Sequence, residues 1–307
     1  MKWIAMPVHG TDLSLHPLPI FKANEDEFYR QLHAIADDAQ PAIRREFQTA
    51  IERLRNEARL DDLKTAINQN DFNAILAALG MQAFAAQMGS MIRRLHQIFT
   101  DSALATQTTL PAEAQFALRF DLVNPQTVAF LRDYDFNLIR ELDDTTREGL
   151  RQILLDSQER GLTVDQTAKR LQAFIGLTQR QSISIDNYQA MLAEEGVAAN
   201  VIERRVNAFR DRLIRMRSQV IAETETINAA NAGQQALWEQ AMAEGYLDFS
   251  QRKFWIVTRD DRTCDICNAI PGMNPEGVGV GESFATPVGP KRGPTAHPRC
   301  RCAMALA

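Results

Sequence analysis

The chain has 307 residues, 45% of them hydrophobic and 24% charged, with 15 glycines and 12 prolines, a composition that excludes a disordered chain, a collagen and a low-complexity polymer. This length buries at least one good core and reads as one or two compact domains. With 34 Lys and Arg against 39 Asp and Glu the formal charge is −5, so the surface as a whole does not coat nucleic acid and any such contact is local.

The N-terminus has no apolar h-region or small-residue cleavage site, so no secretory signal is read there. Residues 1–23, with Pro7, Pro17 and Pro19, read as an extended arm, either laid on a neighbouring subunit or a disordered end. From Asn24 apolar residues recur with helical spacing (Phe28, Leu32, Ile35; Ile43, Phe47, Ile51, Leu54; Leu63, Ile67), which predicts α-helices as far as Leu150. Within them, Phe72 to Ile92 carries no charge and is long enough to span a bilayer, but contains Asn73, Gln82, Gln87, Ser90, Gly80 and Gly89. Those residues favour a buried or oligomer-facing helix, with a membrane-active segment as the alternative. Pro111 and the pair Asn124-Pro125 punctuate the pattern and set a boundary near residue 125.

The second helical portion includes Leu138 to Gln158, a turn at Gly161, and a helix capped by Thr163 that runs to about Phe174. Helix, glycine turn and helix also describe a DNA-binding helix-turn-helix, but Lys169 and Arg170 are the second helix's only cations, which favours a structural hairpin. Gly176 breaks that helix, and Gln181 to Glu195 forms another that Gly196 ends. The next helix is basic: Arg204, Arg205, Arg210, Arg212, Arg215 and Arg217 are opposed only by Glu203 and Asp211, around an expected apolar stripe of Val206, Phe209, Leu213 and Met216. Its arginines either meet phosphate or an acidic partner or form a solvated face.

After Gly245 the β-favouring run Phe254-Trp255-Ile256-Val257-Thr258 opens a small terminal module. The only four cysteines follow it, as Cys264-x-x-Cys267 and then His297-Pro-Arg-Cys300-Arg-Cys302. Clustered thiols in this spacing suit a tetrahedral zinc, with Cys264, Cys267, His297, Cys300 and Cys302 as five candidates for four places; paired disulfides or an empty reduced site are the alternatives. Enough donors are present to close the shell, so the zinc is read as structural, one per chain, and the protein as no enzyme. A treble-clef, HNH-like nuclease with His297 as general base is the competing reading; it requires further catalytic side chains, and His297 is the module's only histidine. From residue 251 onward eight cations face five carboxylates, with Arg299 and Arg301 beside the second cysteine cluster as further candidates for partner binding.

The expected architecture is mainly α: a multi-helix body with a small C-terminal zinc-knuckle, treble-clef-like α+β module. Its divisions are the arm (1–23), an N-terminal helical region (24–125), a central helical region with the basic helix (126–250) and the Cys/His module (251–307). Four ordered segments, Val220 to Thr226, Ala229 to Gln234, Trp255 to Cys267 and His297 to Cys302, closely resemble the tailed-phage head morphogenesis family, the minor head proteins that include the F protein of Mu-like phages. The likeness covers roughly the C-terminal half; the first 120 or so residues carry no such motif. The family pattern often reads Ala-Arg-Thr-Glu where this chain has Ala222-Glu223-Thr224-Glu225. Thr224, Glu225, Asn228 and Asn231 lie near one helical face, where they cap or hydrogen-bond to the terminal module. The resemblance implies a virion protein in few copies, bound to the portal protein inside the head and assembled in the host cytoplasm. It would assist head assembly, DNA packaging or ejection, with the major capsid protein, packaged DNA or a second copy as further partners and no small-molecule substrate. An ejected, membrane-active protein is a further alternative.

Overall fold

The helical periodicity folds as α1 (Glu25–Glu57), α2 (Leu60–Asn68), α3 (Phe72–Ala78), a 3-10 turn (Met81–Ala83), α4 (Phe84–Gln87), α5 (Gly89–Gln107) and α6 (Ala112–Ala117). It continues as α7 (Pro125–Glu159), α8 (Val164–Phe174), α9 (Gln179–Glu194) and α10 (Ala199–Ala243). The terminal segment forms β1 (Arg252–Ile256), α11 (Asp265–Met273), β2 (Val278–Gly279) and β3 (Ala303–Leu306). This computed structural model describes residues 25–120, 125–258, 260 and 263–307, so the arm expected over residues 1–23 lies outside the described residues. The described chain is mainly helical, with one three-stranded sheet.

The body is organised around α10, which packs along both α1 and α5. Leu32, Ile43, Phe47 and Leu54 of α1, Met91, Leu95 and Ile98 of α5, and Ile214, Ile227 and Ala230 of α10 belong to one buried cluster, which α2, α3 and α8 extend through Leu63, Ile75 and Leu171. The crossing of α5 on α10 is close at Gly233, where an added Cβ would lie 2.0 Å from the Phe99 carbonyl oxygen. Beside it, Ser102 Oγ donates to the Ala230 carbonyl at 2.7 Å, which ties the two helices by a side chain too short to hold them apart.

The apolar stretch from Phe72 to Ile92 is not one helix. Gly80, at φ 72°, ends α3 in the left-handed region, and the helices on its two sides are bent by 69°. No single described helix is long and apolar enough to cross a membrane. Ile75, Leu79, Met81, Phe84, Met88 and Met91 are instead buried in the core, which accounts for the lack of charge in this stretch.

At Gly161 the chain turns from α7 into α8, and Thr163 forms a capping box with Gln166. Both cations of α8 are committed within the protein: Lys169 pairs with Asp165, and Arg170 bridges Asp156 and Asp186 while donating to Ser157. α8 packs on α7 and α2. The apolar seam of the basic helix differs from the expected stripe, because Met216 is exposed and Ile214 is buried in its place. At 3.6 residues per turn the inward face drifts from Leu213 to Ile214 and Ser218 as α10 enters the core.

The first strand begins two residues earlier than the sequence predicts, at Arg252, and lies centrally between β2 and β3, antiparallel to both. All four residues of β3 are buried. Trp255 and Phe284 meet edge to face, with centroids 5.3 Å apart, in a cluster that includes Leu237 and Trp238 of α10. Lys253 of β1 is wholly buried: its Nζ donates to Gln235 Oε1 at 2.9 Å and to the Arg292 carbonyl at 2.7 Å, and burial brings its pKa down to about 7. The module therefore draws its core from α10.

Gly233→Ala tests the α5 to α10 crossing. The clash is with backbone, so the expected loss is about 3 kcal/mol of unfolding free energy, well beyond the gain of at most about 1 kcal/mol in helix propensity. Chemical denaturation measures it, and an unchanged midpoint would mean that the helices are further apart than described.

Candidate metal centre

Residues of two kinds of local structure converge on the cysteines. Cys264 is the N-cap residue of α11 and Cys267 lies in its first turn, so both sulfurs stand at a helix N-terminus. His297, Cys300 and Cys302 come from the irregular segment that leads into β3. A turn closed by the Cys300 N–H on the His297 carbonyl at 3.1 Å brings the first two of these onto one side.

His297 Nε2 lies 3.1 Å from Cys264 Sγ and 3.0 Å from Cys267 Sγ, and Cys267 Sγ lies 3.7 Å from Cys300 Sγ. The donors form two triads that share Cys267: Cys264, Cys267 and His297, and Cys267, Cys300 and Cys302. For metal bonds of about 2.3 Å to sulfur and about 2.0 Å to nitrogen, a tetrahedron has edges of about 3.5–3.8 Å. The sulfur pair has that separation, and the sulfur–nitrogen pairs are somewhat closer. His297 Nδ1 stands 2.8 Å from the Pro298 carbonyl, which fixes the proton on Nδ1 and leaves the Nε2 lone pair facing the sulfurs. All four cysteines are free.

The buried thiols differ in how readily they ionise. The Cys302 thiol donates to Cys300 and holds that sulfur's pKa down at about 5, whereas burial pushes Cys267 up to about 12, and the bond to Cys300 together with burial raises Cys302. Only a cation among them lets several ionise together, which is the donor chemistry of a site able to hold a metal ion. The cluster borders a cleft of about 550 Å³ between the module, α1 and α10, lined also by Asp37, Gln40, Gln219 and Glu223.

The candidate arginines are not brought together. Arg204, Arg205, Arg212 and Arg215 are exposed on α10, Arg210 is held by Asp211 and Asn207, and Arg217 lies over the Phe47 ring, where burial lowers its pKa to about 10. Arg299 pairs with Glu223 at 2.7 Å and Arg301 with Asp260 at 3.0 Å, both beside the cysteine cleft. Thr224 and Asn231 do hydrogen-bond to the module, at the Arg299 N–H and the Cys302 carbonyl. Sequence reasoning missed His33 of α1, whose buried ring meets the Arg301 carbonyl at 2.9 Å. Its only signal was a histidine on the inward face of an amphipathic helix.

The family model described as phage Mu protein F like protein matches residues 148–305, more than half of the chain, from within α7 into β3. No curated protein and no solved structure matches.

Elemental analysis of the reduced protein is expected to find one transition-metal ion per chain. Cys267→Ser removes the sulfur common to both triads and should abolish retention of the ion and leave the other thiols open to titration. Wild-type protein without metal and with four freely reactive thiols would refute the centre.

Proposed function

The chain belongs to the family of phage Mu protein F like proteins, and from that premise we propose that it is a minor head protein of a tailed bacteriophage. In this reading it sits in few copies at the portal vertex inside the head, is assembled in the host cytoplasm, and assists head assembly, DNA packaging or DNA ejection. The observation that carries the proposal is the extent of the match, which takes in α8, α9, α10 and all five metal-ligand candidates as one stretch.

The ion at the Cys/His centre is zinc, one per chain, with a structural role. Soft thiol donors with an imidazole suit zinc, and five donors suffice to close a four-coordinate shell. The orientation of His297 weighs against a nuclease: its Nε2, the nitrogen a general base would use, is turned to Cys264 and Cys267, and its Nδ1 is engaged by the Pro298 carbonyl. Burial of the apolar side chains between Phe72 and Ile92 weighs against a membrane-active role for that stretch. The portal protein is the principal partner, and packaged DNA, the major capsid protein or a second copy are secondary ones.

Mass spectrometry of purified, DNA-filled particles tests the central proposal: the chain is expected in few copies per head and in cross-links to the portal protein. Its absence from particles would overturn the reading. If DNA is met directly, the exposed Arg204, Arg205, Arg212 and Arg215 make the contact. The logarithm of affinity should then fall with the logarithm of salt with a slope of about −3 to −4, and replacement of all four by alanine should flatten it. A salt-insensitive affinity would exclude phosphate contact at this face.

A further inference from the structure

The segment from His297 to Cys302 carries three of the five donors, yet its placement is set from outside the terminal module. On the α10 side, the Arg299 N–H donates to Thr224 Oγ1 at 3.0 Å, and Asn231 Nδ2 donates to the Cys302 carbonyl at 3.3 Å. The Thr224 hydroxyl gives its own proton to the Val220 carbonyl at 2.7 Å, which turns its lone pairs toward the segment. On the α1 side, His33 Nε2 lies 2.9 Å from the Arg301 carbonyl, which also accepts from Thr258 Oγ1 at 2.8 Å. His33 packs against the Tyr29 ring, burial lowers its pKa, and because a carbonyl can only accept, Nε2 is the donor in this contact.

Two of these contacts fall between donors, and the third falls on the backbone of the last donor, Cys302. Residue 299 lies between His297 and Cys300, and residue 301 between Cys300 and Cys302. Six residues thus present side chains to the metal centre and backbone groups to two helices, and few conformations of so short a segment satisfy both. Arg299 adopts a left-handed φ of 63°, and its N–H and guanidinium are held by Thr224 and Glu223.

We infer that Thr224 and Asn231 of α10 and His33 of α1 are positioning residues of the metal centre, and that ion binding and the docking of α1 and α10 onto the module are one coupled equilibrium. The inference rests on the metal reading of the cluster. Coupling of this kind is reciprocal: whatever factor helix docking adds to zinc affinity, zinc adds to helix docking. Partners that fix a metal ligand from the outer shell typically change metal affinity by about 10–100-fold.

The test uses the full chain and zinc ion. Zinc affinity is measured by competition with a chromophoric chelator for the wild type, Thr224→Val, Asn231→Leu and His33→Phe, and for Thr224→Ser, which keeps the hydroxyl. Hydrogen exchange is followed with and without zinc. The expected result is a loss of affinity of about tenfold or more in the first three variants, with one zinc still bound at saturation and near-wild-type affinity in Thr224→Ser. Zinc should also slow exchange in wild-type residues 29–40 and 220–232, not only in residues 264–302. Variants that melt earlier yet hold zinc within twofold of the wild type would overturn the inference while leaving the metal site intact. Zinc protection confined to residues 264–302 would do the same. A wild type that takes up no zinc would overturn both this inference and the metal reading beneath it.

Discussion

The second half of α10 sets the terms for the rest of the molecule. From Ala222 to Ala241 it is enclosed by protein, and its buried residues include Thr226, Asn231, Gln234, Gln235 and Gln240. A helix buried on most of its circumference is ordinarily apolar there, and an amide left without a partner inside a core costs about 1–3 kcal/mol. Thr226 bonds back to the Ala222 carbonyl within its own helix, while three of the amides also reach backbone far away in sequence. Gln240 donates to the Arg119 carbonyl, Gln235 to that of Val280, and Asn231 to that of Cys302. These three acceptors lie outside helices and strands, so one helix fixes segments that have no ladder of their own.

The same enclosure reorganises the charge. The terminal module is basic by composition, yet most of its cations are already committed. Arg252 donates to the Glu276 and Gly277 carbonyls, Lys253 is buried, and Arg292, Arg299 and Arg301 pair with Glu239, Glu223 and Asp260. On α10, Arg217 turns into the core side and Arg210 is held by its neighbours. The surface that offers unburdened positive charge is thus narrower than the sequence count, and on α10 it is carried by Arg204, Arg205, Arg212 and Arg215.

Features that depend on neighbours in sequence were legible before the fold. The helical periods, the Thr163 cap, the glycine breaks at Gly161, Gly176 and Gly196, and the Cys/His spacing are all decided within a few residues. The convergence of Thr224 and Asn231 on the module could be read from one helical face. What escaped was set by packing. Nothing near Phe72 shows that the stretch folds back at Gly80 to fill a core shared with α1 and α10. Nothing near Met216 shows that α10 enters that core one position out of step with its own stripe. His33 reaches a carbonyl 268 residues away, and no local pattern encodes a pairing of that range.

The acid at position 223 shows how the two halves of the centre fit. Where the resembling family often carries arginine, this chain has Glu223, and its carboxylate meets the Arg299 guanidinium at 2.7 Å on the segment that bears His297 and Cys300. Both groups are partly solvated, so the pair contributes roughly 0–1 kcal/mol. An ion pair of that size does not hold the segment, but it selects which way the Arg299 side chain leaves the turn. The neighbouring bond from the Arg299 N–H to Thr224 Oγ1 involves backbone on one side and a hydroxyl on the other, and it does not depend on the sign of the charge at 223. An arginine at position 223 would therefore alter the rim of the cleft and leave the threonine contact beneath it in place.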